Sequence, residues 1–171
     1  MKSARFFVLA MFAICSFTFN SCNSDDDDEG DCLGTLQSSW KFNGVYEKSH
    51  VGLYSRTGSL MNLTFTACVE GSNDKVLSIA YFNYPPEIGV SQPLLQGPSI
   101  AGYTAMGLYN ADVEGDFTTD SIHTGTFTVT FIDTVAHLLS AEFQFTAVNL
   151  SNPSQTAVIT EGVVNNIHYQ N

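Results

Sequence analysis

In Asn110-Ala111-Asp112-Val113-Glu114-Gly115-Asp116, four oxygen-bearing side chains stand at alternate positions with a glycine sixth. That spacing opens a calcium loop, but the twelfth position is Ser121, where an EF-hand needs a bidentate Glu. The EF-hand reading fails; a looser extracellular calcium site stays open beside the favoured reading of an exposed acidic loop. The four histidines, His50, His123, His137 and His168, show no His-x-His or His-Glu-x-x-His spacing that would bring two onto one metal. No metal or cofactor is expected. Gly97-Pro98-Ser99-Ile100-Ala101-Gly102 lacks both the spacing and the strand-to-helix setting of a serine-hydrolase elbow. Carboxylates are plentiful, yet a catalytic pair is defined by separation in space, which no spacing here fixes. The chain is therefore not expected to be an enzyme. Tyr81-Phe82-Asn83-Tyr84-Pro85-Pro86, followed by Tyr103 and Tyr109, supplies aromatic faces for a sugar or peptide, with Tyr84, Tyr103 and Tyr109 as candidate contacts. The plainer reading puts Tyr81 inward with Leu77 and Ile79 and makes Tyr84-Pro85-Pro86 a turn.

Charge narrows the partners. Seventeen Asp and Glu face six Lys and Arg, and no basic cluster exists to neutralise a phosphate backbone or an anionic lipid surface. Nucleic acid and electrostatic membrane binding are disfavoured, so membrane contact would have to come from a lipid. Lys2 and Arg5 precede an uncharged stretch, residues 6–19, rich in Phe, Ala, Val and Leu. A spanning helix needs roughly 20 apolar residues, so this stretch reads as a secretion signal.

Phe19-Asn20-Ser21-Cys22 follows directly and resembles the lipobox of bacterial lipoproteins, in which a small residue precedes the cysteine that becomes the lipidated amino terminus. Ser21 and Cys22 fit; Phe19 and Asn20 depart from the usual Leu-Ala/Ser, which keeps plain signal-peptidase cleavage as the competing reading. Asn23-Ser24-Asp25-Asp26-Asp27-Asp28-Glu29 resembles the acidic tether behind that cysteine in Bacteroidota lipoproteins, where such a run accompanies export to the outer face. Adjacent carboxylates also repel one another and keep a segment out of a core. The expected organisation is a signal over 1–21, a lipidated cysteine and tether over 22–35, and one domain over 36–171. The acyl chains on Cys22, palmitate among them, would hold the protein at the membrane at about 0.8 kcal/mol per buried methylene.

With Cys15 removed and Cys22 acylated, Cys32 and Cys68 remain as a candidate disulfide in an oxidising compartment, with two free thiols as the alternative. A bond between them would stabilise the fold by roughly 3 to 4 kcal/mol.

Apolar residues make up 44% of the chain and aromatics 12%, enough for one core. The clearest periodicity is two. Phe127, Val129 and Phe131 alternate with threonines and are expected to share the inner face; Asp133-Thr134 then turns the chain into a second strand with Ala141, Phe143, Phe145 and Ala147 inward. Residues 156–161 and 163–169 supply one or two more strands, with Gly162 expected at a bulge. Residues 40–47, 60–68 and 75–83 read as strands, and 103–109 as the clearest strand of a Pro- and Gly-rich middle. The prediction is an all-β domain, an antiparallel β-sandwich or small up-and-down barrel of about eight strands.

From Trp40 to Tyr169 this layout is similar to a family of Bacteroidota surface lipoproteins of unknown function. Thr124-Gly125-Thr126-Phe127-Thr128-Val129-Thr130-Phe131-Ile132-Asp133, Leu139-Ser140-Ala141-Glu142-Phe143-Gln144-Phe145-Thr146-Ala147 and Val158-Ile159-Thr160-Glu161-Gly162 carry the resemblance. A glycine is usual in that family where Ala141 stands. The resemblance implies an all-β surface lipoprotein and no particular activity. Asp120-Ser121-Ile122 and Asp133-Thr134-Val135 resemble the Asp-Ser/Thr-apolar acceptor of Bacteroidota O-glycosylation, making Ser121 and Thr134 candidate modification sites.

The function expected is that of an outer-membrane lipoprotein, exposed at the surface, whose domain is a binding or structural module for a glycan, a peptide or an envelope protein. The alternative is a lipocalin-like carrier with an interior apolar pocket.

Overall fold

A computed structural model of the chain describes residues 34–67, 75–81, 86–95, 105–111 and 115–169. Cys22, the acidic tether, Cys32, Cys68, Tyr84, Tyr103 and the tip of the Asn110 loop at 112–114 lie outside the described residues.

The described residues are all-β, and no helix among them is long and apolar enough to cross a membrane. The strands are β1 (Ser38–Phe42), β2 (Val45–Ser49), β3 (Val51–Thr57), β4 (Leu60–Thr66), β5 (Val76–Tyr81), β6 (Ser91–Leu94), β7 (Ala105–Ala111), β8 (Gly115–Thr118), β9 (Gly125–Asp133), β10 (Leu138–Asn149) and β11 (Thr156–His168). One sheet contains them all in the order β2-β1-β11-β10-β9-β6-β7-β5-β4-β3, with β8 bridging β10 and β7. Its two terminal strands, β2 and β3, are separated in the chain by His50 alone, so the sheet curls back on itself and nearly closes into a barrel. Every pairing is antiparallel except β6 with β7.

The fold class is the expected one, and the strands number eleven among the described residues rather than about eight. Residues 40–47, read as one strand, are a hairpin. Asn43 and Gly44 take φ of 49° and 85°, the left-handed pair of a type I′ turn that reverses β1 into β2 with Phe42 opposite Val45. Gly58, at φ 60°, followed by Ser59 outside the left-handed region, turns β3 into β4 through the other favoured two-residue hairpin, type II′. The carboxyl-terminal strand is continuous, with a bulge where Gly162 led one to expect it. Phe143 and Phe145 pair with Gly162 and Ile159, so two residues of β11, Thr160 and Glu161, stand opposite Gln144 alone. Glu161 sits at φ 52°.

Phe131 is a correction. Ser140 and Ala141 of β10 pair with Phe131 and Val129 of β9, leaving Thr130 as an extra residue. One extra residue inverts the alternation. Ile132 therefore turns inward against the core and Phe131 turns out, 45% exposed.

The interior is filled by side chains: Trp40, Met61, Leu63, Phe65, Leu77, Ile79, Tyr109 and Phe127 are completely buried and belong to one cluster. Tyr81 packs inward with Leu77 and Ile79, as expected, its ring centroid 6.3 Å from that of Phe127.

Candidate functional site

Two polar arrangements stand out, one inside and one outside. Inside, Glu47 of β2 is only 4% exposed. Its Oε2 accepts from Trp40 Nε1 and from the Tyr109 hydroxyl, each at 2.7 Å, and its Oε1 accepts from Lys75 Nζ at 2.8 Å. A buried carboxylate is tolerated when its lone pairs are met in this way. The Lys75 ammonium also lies 5.4 Å from the Phe42 ring centroid, and that ring stacks on Tyr109 at 4.5 Å. Both oxygens of Glu47 are engaged by donors from three other strands or their ends, so the cluster is a structural hub. It also corrects the expectation for Tyr109. As an inward residue of β7 paired with Leu77, it is completely buried, with its hydroxyl committed to Glu47, and offers no face to a sugar or peptide.

Outside, the solvent face of β9, β10 and β11 carries an open groove in two contiguous parts. One, of about 400 Å³, is lined by Thr126, Thr128, Glu142, Gln144, Glu161 and Val163 among others. The other, of about 240 Å³, shares Thr126 and Gln144 and continues to Thr124, Thr146, Val158 and Thr160.

The register explains the lining. Outward positions line up in rows across the three strands: Thr146 with Val158, next to Thr124; Thr126 with Gln144, facing Thr160 and Glu161; Thr128 with Glu142 and Val163. Three bulges shape this face. The first throws Glu161 outward, where its Oε1 accepts from Lys41 Nζ at 2.7 Å. The second puts Asn165 and Asn166 opposite Ser140, with Asn166 at φ 44° and its amide donating to Ser140 Oγ at 3.0 Å. The third aims Phe131, paired with Ser140, onto the same face one row beyond Thr128. Exposed apolar side chains thus bracket the polar rows, Val158 at 43% and Phe131 at 45%. Bulges re-aim side chains in this manner.

The groove floor depends on glycines. A Cβ on Gly162 would overlap the Phe143 ring, and one on Gly125 would overlap the Gln144 carbonyl and the Phe145 backbone.

Asn110 and Asp116 are cross-strand partners of the β7–β8 hairpin, and the Asn110 amide donates to Asp116. Among the described residues no group of three His, Cys, Asp or Glu could hold a metal ion. His50 Nδ1 lies 2.8 Å from the Gly34 carbonyl, His123 contacts Asp120 at 3.1 Å, and His137 stands edge-on to Tyr169.

The two Asp-Ser/Thr-apolar tripeptides adopt one local structure. Asp120 Oδ1 accepts from the amides of Ile122 and His123, and Asp133 Oδ1 from those of Val135 and Ala136. Each turn leaves the hydroxyl residue, Ser121 or Thr134, exposed, with Ile122 81% and Val135 90% exposed beside it. For Asp133 the Ala136 and Val135 amides hold the carboxyl below its ordinary range. At Asp120 desolvation pushes upward, but the His123 and Ile122 amides and the His123 ring outweigh it, and the carboxyl is again lowered.

Comparison with protein families, curated proteins and solved structures found no match.

Proposed function

We propose that the protein is an outer-membrane lipoprotein anchored through Cys22, and that its β-domain is a surface binding module whose ligand seat is the groove on β9, β10 and β11. One observation carries the binding reading. Large side chains of one cluster, among them Trp40, Phe65, Tyr109 and Phe127, occupy the interior, whereas the outer face of β9 to β11 holds an open groove lined by threonines, Gln144 and Glu142, with Val158 at one end and Phe131 one row beyond the other. A lipocalin-like carrier would need the space those side chains occupy. The anchoring reading rests on the short apolar signal, on Ser21-Cys22 and on the acidic run behind them. A body with no basic surface cluster gives the lipid the whole task of membrane attachment, and the tether would hold the groove clear of the membrane.

Fractionation of cells expressing the native chain or Cys22→Ala tests this. The native protein is expected in the outer-membrane fraction and open to protease added to intact cells; Cys22→Ala is expected in the soluble fraction. A Cys22→Ala protein that stays in the membrane fraction overturns the anchor.

A further inference from the structure

We infer that the groove on β9, β10 and β11 takes an uncharged, hydroxyl-rich chain, a neutral oligosaccharide lying along the strands. The inference deepens the binding-module reading and rests on it.

Shape comes first. The outward rows run from Thr124, Thr146 and Val158, through Thr126, Gln144 and Thr160, then Thr128, Glu142 and Val163, to Phe131 and Ser140. Three steps of two residues at about 3.3 Å each give a track of about 20 Å, which suits an extended chain better than a single small molecule. Chemistry comes next. Threonine hydroxyls and the Gln144 amide both donate and accept, and the Glu142 carboxylate accepts from two hydroxyls at once. Phe131 offers an apolar ring at one end of the track for the C–H face of a pyranose, a placement that exists only because the Thr130 bulge reverses its direction.

Charge then excludes the anionic glycans. Glu161 is balanced by Lys41 at 2.7 Å, so Glu142 leaves the track with a net negative charge that repels uronates and sulfated polymers. An extended peptide is disfavoured on different grounds. Peptides dock on sheets mainly through free backbone edges, whereas β9 over residues 125–128 lies between β6 and β10, β10 lies between β9 and β11, and β11 lies between β10 and β1. Along the threonine rows this is a mid-sheet face that offers side chains.

The test is binding of the mature lipidated protein, in detergent, to immobilised cellohexaose, mannohexaose, xylohexaose, N-acetylchitohexaose, oligogalacturonate and a lysine-rich peptide. At least one neutral hexasaccharide is expected to bind, the Phe131→Ala and Gln144→Ala variants weakening it about tenfold each. Both side chains are exposed, so the variants should keep the native melting temperature, and a melting curve on each confirms that the loss is not unfolding. Binding only to oligogalacturonate or to the peptide, or to nothing in the set, overturns the ligand class. A neutral glycan bound equally well by both variants overturns the groove as its seat. Neither result touches the Cys22 anchor, which the fractionation decides separately.

Discussion

The Tyr109 hydroxyl donates to the Glu47 carboxylate at 2.7 Å, tying β7 to β2, one of the two terminal strands of the sheet. Lys75, at the entrance to β5, reaches the same carboxylate. Side chains thus link the first part of the strand order to its last part at a place where, among the described residues, no backbone ladder joins them. Removing the carboxylate would take away the acceptor that Trp40, Tyr109 and Lys75 share. Glu47→Ala should cost roughly 3 to 5 kcal/mol, and Tyr109→Phe only about 1 kcal/mol, since Trp40 and Lys75 still meet the carboxylate. Urea unfolding measures both. A Glu47→Ala cost below about 1 kcal/mol would show that the hub does not hold the sheet together.

Gly162 and Phe143 are paired across β10 and β11, and the ring occupies the space a Cβ would need. Gly162→Ala should therefore destabilise by about 1 to 3 kcal/mol through overpacking, and Phe143→Leu in the same chain should recover part of it. The expected signature is a coupling of about 0.5 kcal/mol or more in a double-mutant cycle. Gly125→Ala is the contrast, because the obstruction there is the Gln144 carbonyl and the Phe145 backbone, which no side-chain change removes. Additive effects at Gly162 and Phe143 would refute the contact as the reason for the glycine.

The alternation of Phe127 and Val129 with threonines was legible in the sequence because period two is a direct imprint of one buried face. Its interruption at Thr130 was not. A bulge is decided by how β9 matches β10 in register, and nothing at Thr130 itself marks it. Gly162 did mark its bulge, since an interior glycine weakens a strand unless it serves a bend or a close approach. Asn43-Gly44 is the strongest short-range hairpin signal in the chain, and running one strand from Trp40 to Glu47 passed over it. Glu47 and Tyr109 are 62 positions apart, and a glutamate among strand residues reads as solvent-facing until its remote donors are known. The groove is hidden for a related reason: its residues come from three strands and become neighbours only through pairing.

Acid should unfasten the β9–β10 turn. The Ala136 and Val135 amides, which donate to Asp133, lower its folded pKa below the unfolded value. The stabilisation this brings is complete above the unfolded pKa of about 3.9 and is lost as pH falls through the lowered folded value. Asp133→Ala should therefore melt lower than the native protein at pH 7, with the gap closing below about pH 4. Thermal melts of both proteins from neutral pH to pH 2 check this; a gap that persists unchanged into acid would assign the loss to something other than the carboxylate.

The same turns bear on modification. Asp120 and Asp133 cap their own tripeptides and hold Ser121 and Thr134 at exposed corners next to strand β9 and between β9 and β10. A transferase needs an accessible hydroxyl in a defined local geometry, and the two sites present nearly the same one, with an exposed branched side chain following each hydroxyl. Peptides spanning 120–122 and 133–135 from envelope protein of cells that carry the modification system should show sugar mass on Ser121 and Thr134. Ser121→Ala and Thr134→Ala should each remove one modification without altering the melting temperature by more than a few degrees, because both side chains are on the surface. Asp133→Ala, which dissolves the cap but leaves Thr134 in place, should reduce occupancy at Thr134 while leaving Ser121 as it was. Unmodified peptides at both sites in the native protein would end the assignment, and full occupancy in Asp133→Ala would show that neither the Asp133 carboxylate nor the capped turn is needed.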